Sequence, residues 1–148
     1  YGGALYASVP ASRFGLRVVP GDLTALIAAG RAVKADLGNA ELYGTILWEE
    51  VGPLHQRNVT IFADGEVDRS PCGSGTSARC ALLADEGALR EGETLRHDSI
   101  VDTTFLARVA GSTEEGVLTE VEGMAYRTGE HRFGLDPRDP LGTGFVLR

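Results

Sequence analysis

The run Asp68-Arg69-Ser70-Pro71-Cys72-Gly73-Ser74-Gly75-Thr76-Ser77-Ala78 gathers a carboxylate, a thiol and a flexible backbone into one short stretch. Pro71 presets a turn, Cys72 sits on it, and the chain then continues into Arg79-Cys80-Ala81-Leu82-Leu83-Ala84, an apolar helical segment. A thiol at a helix N-terminus is the better acid/base, because unpaired N–H groups and the macrodipole favour the thiolate. The same N–H groups, unshielded at Gly73 and Gly75, form an anion site for a carboxylate or phosphate. Asp68, four residues before the cysteine, offers a place for a cation. A reactive sulfur beside an anion cradle is the chemistry these types and spacings allow.

Each residue also has a plain structural reading. Most free cysteines behave as small buried hydrophobes, and Cys80 reads that way. Asp68 fits a turn or capping aspartate, Arg69 is expected to pair across the turn, and the Thr76 and Ser77 hydroxyls suit first-turn backbone groups. His55, His97 and His131 are scattered without metal-ligand spacing, so no metal is expected.

The elements that must position the motif follow from periodicity. Leu23, Leu26, Ile27, Gly30, Val33 and Leu37 share a helical face, with Thr24, Arg31 and Lys34 off it. Pro20 suits the first turn of that helix, Asp22 complements its positive end and Gly38 terminates it. The segments 2–9, 42–48, 58–63, 94–99, 103–110, 116–121 and 125–133 read as strands, 16–19 is a short apolar stretch, and Asp64-Gly65 is a turn. Gly2 and Gly3 are expected to allow close strand packing. The helix after Cys72 is apolar nearly all round apart from Arg79, so it should be buried on most sides, with Gly87 at its end. The simplest architecture is α+β: a curved, mostly antiparallel sheet wrapped around a central buried helix.

At 148 residues, with 43% hydrophobic and 24% charged residues, the chain has the size and composition of one soluble globular domain. Fourteen basic against 21 acidic residues leave a net charge of -7, which argues against nucleic acid or an anionic membrane as a partner. No apolar run approaches a transmembrane length, and residues 1–11 show no charged leader before an apolar core. Eight residues on one helix separate Cys72 from Cys80 by roughly 12 Å, too far for a disulfide. Two unpaired cysteines suit a reducing compartment, so a cytoplasmic location is expected.

The motif Asp68-Arg69-Ser70-Pro71-Cys72-Gly73-Ser74-Gly75-Thr76-Ser77-Ala78 resembles the second active-site motif of the proline racemase family, which includes hydroxyproline epimerases and 3-hydroxyproline dehydratases. Tyr1-Gly2-Gly3-Ala4-Leu5-Tyr6, Arg57-Asn58-Val59-Thr60-Ile61-Phe62 and Asp136-Pro137-Arg138-Asp139-Pro140-Leu141 are similar to further family segments. The resemblance implies the diaminopimelate epimerase-like fold, with residues 1–135 as its second lobe and 136–148 as a tail returning to the first lobe. The family's first catalytic cysteine, in a Met-Cys-Gly-His-type motif, has no counterpart in this chain.

The resemblance further implies that Cys72 is one of two thiols facing opposite sides of an amino acid's α-carbon. It implies that Asp68 receives the substrate's ammonium or pyrrolidinium group, and that the Gly73 and Ser74 amides hold its carboxylate. The substrate class would be proline or a hydroxyproline, and the partners a first lobe carrying the other cysteine and a second copy in a homodimer. No cofactor is implied: such chemistry normally recruits pyridoxal phosphate on a lysine, and the one lysine, Lys34, reads onto an exposed helix face.

Two alternatives stay open. A trans-3-hydroxyproline dehydratase of the same family would use one thiol, although such enzymes tend to carry a hydroxyl residue at the position of Cys72. A catalytically silent domain binding a small carboxylate is the other.

Overall fold

The computed structural model describes residues 3–62 and 65–146. Among these, the strands are β1 (Leu5–Pro10), β2 (Leu42–Gly52), β3 (His55–Phe62), β4 (Leu95–Ser99), β5 (Thr104–Thr113) and β6 (Gly116–Glu122). The helices are α1 (Leu23–Leu37) and α2 (Gly73–Asp85). The strands form one sheet in chain order. The pairs β2/β3, β4/β5 and β5/β6 are antiparallel, while β1/β2 and β3/β4 are parallel. Parallel neighbours need a crossover, and α1 and α2 supply the two crossovers.

The β2–β3 hairpin reverses strand direction between those crossovers. Two crossovers of the same hand must then cover opposite faces of the sheet. Side chains report that arrangement. Thr45 Oγ1 donates to the Gly30 carbonyl of α1 at 3.0 Å, and a Cβ on Gly30 would touch Ile61. The neighbouring Ile46 points the other way, against Gly75 of α2. The α1 face buries Leu26, Leu47, Val59 and Ile61 with Ala11, Val18 and Ile100. The α2 face buries Cys80, Leu83, Leu89, Leu95 and Ala107. Each fully buried aliphatic side chain contributes about 1.5–3 kcal/mol.

Contacts to α2 come from both ends of the sheet, β1 on one side and β5 and β6 on the other. The sheet therefore curves around α2, and its strand order leaves β1 and β6 as unjoined edges. The expected α+β lobe is present, with its mixture of pairings set by the two helical crossovers.

Several local expectations differ. Segment 125–133 forms no strand: it has no ladder partner, and Tyr126 and Phe133 are 84% and 90% exposed. Alternating apolar residues become a strand only where a neighbour can pair with them. Segment 16–19 forms bends, with Val18 in the core and its N–H donating to Glu49 Oε2. Pro20–Asp22 form a short 3-10 turn ahead of α1, and Asp22 Oδ2 accepts from the Arg17 N–H without capping the helix. Gly38 does end α1, with φ +59°. Leu37 falls off the buried stripe and is exposed, while Lys34 is half-buried. Gly3 serves conformation, since its φ is +94° and a Cβ there would meet nothing. Gly2, Ala63 and Asp64 lie outside the described residues. No described helix is long and apolar enough to cross a membrane.

Candidate functional site

Cys72 is the N-cap of α2, 4% exposed, with φ +65° and ψ 114°. A non-glycine residue in that region is strained by about 1–3 kcal/mol and persists only where its surroundings over-determine it. Those surroundings can be named. The Cys72 N–H donates to Ser70 Oγ at 3.1 Å, and the Cys72 carbonyl accepts the Thr76 N–H at 2.7 Å. Ser70 in turn donates both its N–H and its O–H to Asp68 Oδ1, each at 2.8 Å. Asp68 is tied to the sheet by its own N–H, which donates to the Thr60 carbonyl. Gly75, one turn on, lets the thiol tuck against the helix: a Cβ there would stand 3.1 Å from Sγ.

Beneath this turn lies a buried polar strut. Asn58 Nδ2 donates to the Pro71 carbonyl at 3.1 Å and to His97 Nε2 at 2.9 Å. Thr76 Oγ1 also donates to the Pro71 carbonyl, at 3.0 Å, so it must accept from His97 Nδ1–H at 2.9 Å. That pattern requires a neutral imidazole. Burial, reinforced by the charge of Arg79, pushes His97 down to about 4. Arg79 itself is buried, donating Nε–H to Gln56 Oε1 and lying 3.9 Å over the Trp48 ring. The next residue on β4, Asp98, points to the other side and accepts from Thr104, Arg96 and His55. Burial opposes its charge, yet these hydrogen bonds hold it down to about 2.

In front of the turn, Tyr6 reaches across from β1. Its Oη lies 2.7 Å from Ser74 Oγ and 3.6 Å from Cys72 Sγ. Among the described residues no side chain caps α2, and the first-turn amides of Gly73 and Ser74 have no intrahelical partners at its positive end. Gly73 is exposed, and a Cβ on it would meet nothing within 4 Å. The site therefore sets a constrained thiol, two hydroxyls and open N–H groups side by side, with the Asp68 turn bonded to the cysteine through Ser70.

Cys72, Ser74 and Gly73 cluster as the sequence suggests, and Asp68 enters through Ser70. Arg69 departs from expectation. Its side chain is exposed and has no partner among the described residues, while its carbonyl accepts from Thr103. Thr76 does satisfy a backbone group, and Ser77 makes no such bond among the described residues. Cys80 is packed among Leu83, Leu89 and Leu95, and burial pushes its thiol up. Sequence reasoning missed Tyr6, Asn58 and the strut role of His97. Period-two alternation could have placed Tyr6 and Ser8 on one face of β1, but not opposite Cys72. No group of residues fit to hold a metal occurs among the described residues.

A sequence model described as proline racemase matches residues 1–146. The chain belongs to the proline racemase family. Among its relatives, trans-3-hydroxy-L-proline dehydratase of Bacillus thuringiensis subsp. konkukian is 43% identical over 99% of this chain and 49% of its own length. The enzyme of the same name from Burkholderia ambifaria is 41% identical over 100% and 50%. A hydroxyproline epimerase from Agrobacterium vitis, solved with bound trans-4-hydroxy-L-proline, superposes with a TM-score of 0.85 at 31% identity. It matches 99% of this chain and 47% of its own. A probable proline racemase from Agrobacterium radiobacter K84, solved with carbonate, gives 0.87 at 27% identity over 99% and 48%. The chain thus spans about half the length of the family members it matches. Its fold is that of one lobe of such an enzyme, in a family of racemases, epimerases and dehydratases.

Proposed function

We propose that this chain supplies one half of a cofactor-independent active site acting at the α-carbon of proline or a hydroxyproline. The observation that carries the reading is Cys72, held at a costly φ of +65° beside the open first-turn amides of α2. Strain kept at a thiol with no disulfide to make supports a placed acid/base. In this reading the Cys72 thiolate takes the α-proton, the Cα–H electron pair moves toward the substrate carboxylate, and the Gly73 and Ser74 amides hold that carboxylate. Asp68, with Oδ1 committed to Ser70, turns Oδ2 to the substrate's ring nitrogen. A second cysteine from a first lobe protonates the opposite face, giving racemisation or epimerisation.

Residues 1–135 are then the second lobe, and 136–148 the tail that docks on the first. The exposed stretch from residue 124 onward carries Met124, Tyr126, Phe133, Leu135 and Phe145, apolar surface that the first lobe would cover. Two unpaired cysteines fit the reducing cytoplasm.

A second reading rests on the relatives: those at 41–43% identity include several named trans-3-hydroxy-L-proline dehydratases. In that chemistry the same carbanion expels the 3-hydroxyl, which leaves as water once protonated. Cys72 itself favours the two-sided reaction. Proton NMR of the two-lobed polypeptide in D2O with L-proline, 4-hydroxyproline and 3-hydroxyproline separates the two. Deuterium entry with inversion, abolished in Cys72→Ser, is expected. Loss of the 3-hydroxyl without inversion would select the dehydratase, and no exchange with any substrate would leave a carboxylate-binding domain.

A further inference from the structure

The hydroxyl nearest the thiol belongs to Tyr6, a residue that none of the steps above uses. Its position is built. Gly44 of β2 lies beside the ring: a Cβ there would stand 2.9 Å from the Ile61 carbonyl oxygen, too close for a side chain, and at ordinary contact distance, 3.5 Å, from Tyr6 Cε1. Tyr43 meets the Tyr6 ring edge-on at 5.8 Å, and Phe62 backs Tyr43 at 5.3 Å. The ring is thereby aimed along α2's first turn, which brings Oη within 2.7 Å of Ser74 Oγ and 3.6 Å of Cys72 Sγ. Burial pushes this hydroxyl up to about 12, so it keeps its proton at neutral pH and acts as donor or acceptor, never as base.

Ser74 Oγ also lies 3.9 Å from Sγ, and of the arrangements these donors allow, two pair Tyr6 with the sulfur. When Cys72 is a thiol, S–H donates to Tyr6 Oη, and Tyr6 O–H donates to Ser74 Oγ. When Cys72 is a thiolate, Sγ can only accept, and Tyr6 O–H turns from Ser74 to the sulfur. The change is one rotation of a hydroxyl hydrogen, with no heavy atom moved. Resting on the assignment of Cys72 as the acid/base, we propose that Tyr6 is a further catalytic residue, whose hydroxyl serves both protonation states of the thiol. The proton in transit passes between the substrate Cα and Sγ, and Tyr6 retains its own throughout.

The test is the pH dependence of iodoacetamide alkylation at Cys72 in the two-lobed enzyme, with buried Cys80 as internal reference, alongside turnover. Tyr6→Phe keeps the ring and its packing and deletes only the donor. A hydrogen bond to a charged group corresponds to about one pH unit. The alkylation profile is therefore expected to move up by about one unit, and turnover at neutral pH to fall about tenfold. Site-specific Tyr6→3-fluorotyrosine, nearly isosteric and a stronger donor, is expected to move the profile down. A residue that merely packs moves neither. Superimposable profiles for wild type and both variants would overturn the proposal while leaving the thiol's assignment standing. Full turnover by Cys72→Ser would instead overturn that assignment, whatever the alkylation shows, and the catalytic role of Tyr6 with it.

Discussion

Gly75 and Cys72 share one small space at the start of α2: a Cβ on Gly75 would lie 3.1 Å from the Cys72 sulfur and 3.0 Å from Ile46 Cδ1. Real Cβ contacts are seldom so tight, so either the thiol or the isoleucine must give. Gly75→Ala gains about 1 kcal/mol of helix propensity but loses about 1–3 kcal/mol to overpacking. We expect a net loss near 1 kcal/mol by urea denaturation. The larger effect falls on turnover, because a displaced acid/base is penalised far more than a crowded core. A drop of at least about tenfold in kcat is expected, and wild-type kcat would show that the thiol does not need this position.

The strain at Cys72 makes a differential prediction. Alanine at φ +65° inherits the strain, while glycine adopts that conformation freely. Cys72→Gly should therefore be more stable than Cys72→Ala by about 1–2 kcal/mol in thermal or urea melts, although it buries less. On the proposed acid/base role of Cys72, both variants should be inactive. Equal stabilities would mean that the backbone at this position is relaxed.

His97 links the site to acid stability. Its imidazole is neutral in the fold down to about pH 4, whereas in the unfolded chain it takes a proton near its ordinary value. Between about pH 6.5 and 4 the unfolded state binds the extra proton, so stability is present above this window and is lost as pH falls through it. The contribution is about 3 kcal/mol at most. Urea midpoints measured from pH 7 to pH 4 should fall accordingly, and His97→Gln should flatten that part of the curve. Asp98 adds its own loss only below the ordinary carboxylate range, as pH approaches about 2.

Asn58 gives the strut its one two-way donor. Asn58→Ala strands His97 Nε2 and leaves the Pro71 carbonyl only its bond from Thr76, and should cost about 1–3 kcal/mol by urea denaturation. Asn58→Asp should be worse, since it places an acceptor against two acceptors. A cost below 0.5 kcal/mol for both would remove the strut from the account of how Cys72 is held.

Cys80 is the contrast. It sits packed in the α2-side core, so on the proposed role of Cys72, Cys80→Ala should leave kcat within about twofold and cost about 1–2 kcal/mol. Loss of turnover in this variant would move the chemistry away from Cys72.

Much of this protein was written locally. The amphipathic stripe of α1, its glycine stop, the six strands and the Pro-Cys-Gly turn into α2 all follow from residues within a few positions of one another. So does the pairing of a thiol with open amides, because a helix start needs only its own backbone to create them. The expected strand at 125–133 failed for the complementary reason, as a ladder needs a second strand and none lies there. Leu37 has the right spacing for the buried stripe, yet it is 56% exposed.

What the tertiary structure alone decided is the company Cys72 keeps. Tyr6 is 66 residues away and reaches the sulfur because the parallel β1/β2 pairing carries its ring there. His97 and Asn58 come together 39 residues apart because β3 and β4 run side by side beneath the turn. The sequence by itself determined which residues could do chemistry, since that is a property of side chains and the next few peptide units. Which hydroxyl faces the thiol, and which buried imidazole braces it, depends on strand order and register, and those emerge only when the whole sheet closes its hydrogen bonds around α2.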